Sequence, residues 1–266
     1  MSGTEPTWAG GARTVVHLLR HGEVHNPKGI LYGRLPGFHL SKLGRKMADR
    51  VADYLKDQGH DIAAVVSSPL ERAQETAQPI AETFSLDVQT DPRLIEAANV
   101  FEGLTFGIGD GSLGRPTHWR YLRNPFRPSW GEPYVQVAAR MLAAMADARE
   151  LAPGREILCV SHQLPIWVAR RRVEGKRLWH DPRRRQCTLA SLTSFSYPPR
   201  VRGSSARALP PEVPEGLSPR ALPRGVPGGS PPRALDDGTA IESVSYVEPA
   251  KDLLPVKASR KFAAGA

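Results

Sequence analysis

Short apolar runs alternate along this chain with stretches that repeat every third or fourth residue. Residues 14–23 begin with Val15, Val16, Leu18 and Leu19 and stop at Arg20-His21-Gly22-Glu23. A run of this kind, closed by a glycine, predicts a strand buried on both faces in a parallel sheet. Residues 62–66 and 156–161 have the same character and end at Ser67-Ser68-Pro69 and Ser161-His162-Gln163. Between the first two runs, Leu43, Met47, Val51 and Leu55 recur every four residues. That period predicts an amphipathic helix, with Ser41 as its N-cap and Gly59 as its stop. Pro69 is placed to open a second helix, kinked at Pro79 and running to about Phe84, and 88–90 follows as a short strand. Residues 134–151 predict a helix with Val137, Met141, Ala144 and Met145 on one face, and Pro165 starts another. Segments 188–196 and 241–247 have strand character. The alternation predicts an α/β fold, a three-layer sandwich whose mainly parallel central sheet is flanked by helices.

Three stretches break the pattern. Residues 24–40 are rich in Gly and Pro, as suits a backbone wrapped around a ligand. Residues 99–133 hold no period, and aromatics there alternate with arginines; this is either a lid over a pocket or an aromatic mini-core pinning a long connection. In 198–238, Arg-Ala-Leu recurs at 207, 220 and 233 among Pro, Gly and Ser, a period too short and too polar to build a solenoid. The expected organisation is a disordered start (1–13), one catalytic domain (14–197), a low-complexity disordered insertion (198–238), a returning edge strand of the same domain (239–251) and a frayed tail (252–266).

Composition narrows the class. No stretch reaches the eighteen or so apolar residues of a membrane span and the start lacks a signal-peptide pattern, so a cytoplasmic protein is expected. Cys159 and Cys187, both in strand-like surroundings, have no metal-ligand spacing and read as small buried hydrophobes. The net charge of +9 is concentrated between Arg170 and Arg185, where eight basic residues face Glu174 and Asp181. That cluster is either a site for an anionic partner or a solvated helix end; nucleic acid is not the expected partner. Nothing in the sequence speaks to oligomeric state.

The strand ends supply Arg20, His21, Arg72 and His162, and Glu96 arrives on a nearby loop. Arginine forks and a second histidine suit phosphate oxygens, a neutral imidazole can attack phosphorus, and a carboxyl can protonate a leaving oxygen. Gly22 permits a close backbone approach. Neither a metal nor a cofactor is required by this set.

On these residues the chain resembles the histidine phosphatase superfamily, phosphoglycerate-mutase-like branch. The resemblance runs from Val15 to about Tyr197 and rests on Leu-Arg-His-Gly-Glu at 19–23, Ser-Ser-Pro-Leu-x-Arg-Ala-x-Glu-Thr-Ala at 67–77 and Val-Ser-His at 160–162. It implies that His21 is phosphorylated, that Arg20, Arg72 and His162 hold the phosphoryl group, that Glu96 is the proton donor, and that Asn26 lines the entrance. Gln163 stands where relatives commonly have a small residue, which narrows the pocket or adds a donor. The text after Glu96 is about one residue shorter than in relatives, which leaves Glu102 as a second candidate acid. Tyr32-Gly33-Arg34-Leu35-Pro36-Gly37 replaces the mutases' characteristic text. The implied activity is a metal-independent phosphomonoesterase acting on a small phosphorylated metabolite, with a phosphoglycerate-type mutase as the rival enzyme and a phospho-ligand or RNA-binding module as a distant alternative.

Overall fold

A computed structural model of the chain describes residues 12–105, 131–199 and 241–254. Most of the aromatic connection and nearly all of the repeat tract therefore lie outside the described residues, as do residues 1–11 and 255–266. Six strands form one sheet: β1 (Thr14–Arg20), β2 (Ile62–Ser67), β3 (Val88–Thr90), β4 (Glu156–Ser161), β5 (Leu192–Tyr197) and β6 (Ser243–Val247), in the order β3-β2-β4-β1-β5-β6. The β3–β2, β2–β4 and β4–β1 pairs are parallel, whereas β1–β5 and β5–β6 are antiparallel. The sheet is thus mixed, with a parallel half that carries the predicted reactive strand ends.

Helices α1 (Lys42–Asp57) and α2 (Glu71–Thr83) cover one face, and α3 (Tyr134–Leu151) and α4 (Gln163–Val173) cover the other. The strands divide their side chains between these two layers. Val16, Leu18, Ile157 and Cys159 pack toward α3 and α4, while Leu19, Leu158 and Val160 pack toward α1 and α2. A strand apolar on both sides shows no period of two, which is why β1, β2 and β4 read as continuous runs. In α1 the four-residue repeat buries Met47, Val51 and Leu55, each worth about 1.5–3 kcal/mol relative to exposure. Ser41 Oγ accepts from Gly44 N at 2.9 Å, and Gly59, at φ +70°, takes the left-handed conformation that ends the helix.

Several boundaries differ from expectation. Strand β5 begins at Leu192 rather than at 188, because Leu189 and Ala190 form a turn with Ala190 at φ +53°. Cys187 is buried as expected, but in the segment before that turn and not in a strand. Helix α2 starts at Glu71 with Leu70 as N-cap, so Pro69 stands outside it, and the helix continues through Pro79 to Thr83. Strand β6 pairs antiparallel with β5, Ser243 opposite Ser196 and Val247 opposite Leu192. Beyond it the chain keeps defined contacts through Leu254, further than the expected fraying point. Ala250 is buried, and Leu253 and Leu254 pack on the layer of α1 and α2. No helix among the described residues is long and apolar enough to cross a membrane.

Candidate active site

The carboxyl ends of β1, β2 and β4, three of the four parallel strands, meet at one place. Arg20 of β1 lies in register with Ser161 of β4, and His21 N donates to Ser161 O at 3.1 Å. Ser68, just past β2, donates its N–H to Val160 O at 2.9 Å. Arg20, His21, Ser68, Arg72 and His162 therefore stand side by side at the top of the sheet. In open α/β sheets, this is where ligands bind.

The loop carrying His21 is held from two sides. Gly22 N donates to Thr76 Oγ1 at 3.1 Å, tying it to α2. On its other side a Cβ at Gly22 would fall 2.5 Å from Gly44 O, and one at Gly44 would fall 2.0 Å from Glu23 O. The close approach expected at Gly22 is thus made by the backbone of α1. Both glycines are needed for the first turn of that helix to press against the reactive loop.

Glu96 is delivered by a separately anchored segment. Ser161 Oγ donates to Leu94 O at 2.7 Å, and Arg34 Nε donates to Glu96 O at 2.6 Å while its other arm reaches Glu132. Glu96 is only 2% exposed; Arg20, His21, Arg72 and His162 are each exposed by 2% or less.

Two guanidinium groups, two imidazoles and a carboxyl, all buried, must settle their protons against one another. Burial, reinforced by the charges of Arg72 and Arg20, holds His21 well below its usual pKa, so its ring is neutral at neutral pH. Its Nδ1 lies 2.8 Å from Gly22 O. A neutral ring bonded to a carbonyl carries its proton there, which leaves Nε2 with its lone pair. His162 is held neutral in the same way by burial and Arg72, and its Nε2 lies 2.8 Å from Ser68 Oγ. The two rings are 5.1 Å apart, centroid to centroid. Glu96 is shifted in the opposite direction. Burial raises its pKa, only partly countered by the Ala97 N–H and by Arg72, Arg185 and Arg20.

The polar atoms left over are informative. Among the described residues, Arg20 Nε, Arg72 Nε and Nη1, His162 Nδ1 and Glu96 Oε2 are buried without a hydrogen-bond partner. One arm of each arginine is engaged: Arg20 Nη1 donates to Cys187 O at 2.7 Å and Arg72 Nη2 donates to Gly33 O at 2.6 Å, and the Arg72 guanidinium lies over the Tyr32 ring at 4.7 Å. Buried donors on charged groups are costly to leave unpaired. A cluster of them beside a neutral histidine and a carboxyl shifted toward its protonated form is what a tetrahedral dianion would satisfy.

The other predicted residues fall around this cluster. Gln163 donates to Cys187 O and accepts from Arg185 Nη1, both at 3.3 Å, so it braces the floor of the site. Both polar atoms of the Asn26 side chain are engaged by Ile30 within its own loop, at 2.7 and 3.0 Å. Glu102 accepts from Asn99 N and packs against Gly33. It lacks the deep burial of Glu96. Residues 106–130, most of the stretch read as either a lid or an aromatic mini-core, lie outside the described residues.

One member was hidden in the basic cluster. Arg183 pairs with Asp181 at the surface, and Arg170 pairs with Glu174 one helical turn on. Arg185 instead turns inward, donating from Nε to His180 Nε2 at 2.9 Å and reaching Gln163 with Nη1. Burial and the neighbouring arginines push His180 down to about 4, so it stays a neutral acceptor, with Nδ1 on Leu178 O at 2.6 Å. Arg185 thereby adds a third positive charge that acts on Glu96. A run of eight basic residues carries no signal of which one folds inward.

Comparison with known proteins agrees with this geometry. The model of the histidine phosphatase superfamily (branch 1) matches residues 16–204. An uncharacterized protein of Mycobacterium tuberculosis is 62% identical over 184 residues, which cover 69% of this chain and 90% of that one. A probable phosphoglycerate mutase of Yersinia pestis is 31% identical over 188 residues, covering 68% of this chain and 84% of its own. Among solved structures, a mycobacterial glucosyl-3-phosphoglycerate phosphatase superposes with a TM-score of 0.57 at 26% identity, covering 70% of this chain and 91% of that one.

Proposed function

The chain belongs to the histidine phosphatase superfamily (branch 1), and on that premise we propose that it is a phosphomonoesterase that hydrolyses a small phosphorylated metabolite through a phosphohistidine on His21. The observation that carries this reading is the set of buried, unpartnered nitrogens on Arg20, Arg72 and His162 around a neutral imidazole, with the raised-pKa carboxyl of Glu96 in the same pocket.

His21 Nε2 attacks phosphorus, and the bond from phosphorus to the ester oxygen breaks. Glu96, whose carboxyl burial biases toward the protonated form, gives its proton to the departing alcohol. Arg20, Arg72 and His162 hold the three non-reacting oxygens, where charge accumulates as the leaving group departs. Glu96, now ionised, takes a proton from water as the water attacks the phosphohistidine, which releases phosphate and restores both residues. No step in this sequence draws on a metal or an organic cofactor.

A mutase would return the phosphoryl group to a second hydroxyl instead of to water. The 31% identity to a probable phosphoglycerate mutase keeps that reading in view. One experiment separates them: incubation with a panel of phosphomonoesters that includes 3-phosphoglycerate, with and without a bisphosphorylated primer. Release of inorganic phosphate is the expected result, and primer-dependent formation of 2-phosphoglycerate would overturn the phosphatase reading. His21→Ala should abolish both turnover and the acid-labile, base-stable phosphoryl label. Retention of as much as a tenth of the rate would remove His21 from the nucleophile's role.

A further inference from the structure

A second cluster of ionisable side chains lies at the opposite end of the sheet. Glu156 opens β4, His60 lies between α1 and β2, and His17 sits halfway along β1. His17 Nε2 is 3.0 Å and His60 Nδ1 is 2.7 Å from the same oxygen, Glu156 Oε2. The ligand atoms of all three residues lie within 4.8 Å of one another, and the two imidazole rings meet edge to face at 5.3 Å. We propose that His17, His60 and Glu156 form a binding site for one divalent transition-metal ion, with Zn²⁺ the best match, that clips together the edges of three segments far apart in sequence.

The donor set is the first argument. Two imidazole nitrogens and one carboxylate oxygen form a three-ligand set used for Zn²⁺, with a water at the fourth position. Bonds of about 2.0–2.2 Å would put the ligand atoms about 3.3 Å apart. The two histidine-to-carboxylate separations, 2.7 and 3.0 Å, need to widen only by about 0.3–0.6 Å, while the two imidazole nitrogens, within 4.8 Å of each other, settle to the same spacing.

Orientation is the second argument. His17 is 3% exposed and its remaining nitrogen, Nδ1, lies 2.7 Å from Ser194 Oγ on the facing residue of β5. A ligating imidazole is aimed in this way, by a bond on its other nitrogen that fixes the ring and the tautomer. Arg155, the neighbour of Glu156 in sequence, pairs with Asp61 rather than with Glu156. His60 and Glu156 keep about a quarter of their side-chain surface exposed, which gives an ion and its water access from solvent.

The site shares no residue with the pocket around His21, so its occupancy is read by binding and by stability and does not depend on the proposed reaction. The test uses untagged full-length protein stripped with a chelator and titrated with Zn²⁺ in a calorimeter. One equivalent should bind saturably and raise the melting temperature, since an ion that binds only the folded state stabilises it. Co²⁺ in place of Zn²⁺ should give the visible absorption of a low-symmetry site with nitrogen and oxygen ligands.

His60→Ala and Glu156→Gln should each weaken binding by more than about tenfold. His21→Ala should bind like wild type, which separates this site from ion capture by the other histidines. Ser194→Ala, which removes only the orienting hydroxyl, should cost about tenfold and stands in if either ligand variant fails to fold. Absence of saturable binding at one equivalent would overturn the proposal and leave a hydrogen-bonded triad only. Wild-type titration curves from His60→Ala and Ser194→Ala would overturn it as well.

Discussion

Gly22 and Gly44 meet backbone to backbone: a Cβ on the first would lie 2.5 Å from the carbonyl oxygen of the second. Through this contact α1 fixes the loop that carries His21, since the helix start can approach only where neither residue has a side chain. Gly44→Ala should therefore do two things at once. It should destabilise the fold by about 2–3 kcal/mol, as overpacking against backbone does, and lower turnover by displacing the neighbouring histidine. Denaturant unfolding and steady-state kinetics on the one variant check both. Lost stability with unchanged kcat would show that the loop tolerates displacement.

For Glu96, the expected signature is selectivity for the leaving group. Glu96→Gln cannot supply a proton, so hydrolysis of an alkyl phosphate should fall far more than hydrolysis of an activated aryl phosphate, whose oxygen departs unassisted. Glu102→Gln should slow both substrates little and equally, because Glu102 is tied to Asn99 and packed on Gly33, away from the deepest burial. If the selective loss appears in Glu102→Gln, the acid is the later residue and Glu96 serves the loop.

The pH dependence follows from the direction of the histidine shifts. His21 and His162 have folded pKa values well below 6.5, the value their side chains have when unfolded. As pH falls past 6.5 the unfolded chain takes up protons that the folded chain does not, so the folded state loses stability there, by 1.36 kcal/mol per pKa unit of depression once fully expressed. Above 6.5 both states are neutral and this contribution is complete. Imidazole resonances of His21 and His162 should therefore not titrate between about pH 7.5 and 6, and stability should decline as the pH falls below about 6.5. The paired variant His21→Gln, His162→Gln should flatten that decline. Titration of either ring near 6.5 would show that the pocket admits a proton freely.

Much of this arrangement is legible in the sequence because of how buried strands are written. β1, β2 and β4 are apolar on both faces, so their runs stop abruptly where the polar strand ends begin, and those ends form the candidate site. Arg20, His21 and His162 could be brought together from that rule, whereas Arg72 stands in the first turn of α2, five residues past the end of β2. Glu96 is harder to place, since its position depends on Arg34 and Ser161 holding the segment from outside it. Arg185 was not legible: its difference from Arg183 lies in the turn that folds it onto His180, and no local pattern marks that turn. The same holds for His17, His60 and Glu156, isolated polar residues in three segments until the parallel register of the sheet assembles them. Close approach at Gly22 was readable, but its partner, the backbone of α1, was not.

The β5–β6 pair makes the last prediction. Ser196 and Ser243 are register partners, and Glu242 N donates to Ser196 O at 2.8 Å, so the chain between them joins two adjacent points. A short turn can make that connection. Closing a long loop costs only logarithmically more than closing a short one, about 1–2 kcal/mol here. Replacing residues 199–237 with a Gly-Asn turn should therefore leave kcat unchanged and the melting temperature equal or higher. Ending the chain after Pro198 should be different, because it removes β6 and with it Tyr246, whose hydroxyl accepts from Thr188 N at 3.1 Å. Thr188 follows Cys187, whose carbonyl accepts from Arg20 and Gln163. The truncation should thus expose the edge of β5, lower stability and solubility, and raise KM through loosened Arg20, whereas the internal replacement does none of these. Thermal melts and kinetics on the two variants decide it. Equal behaviour would mean that β6 contributes nothing to the fold and that Arg20 is held without it.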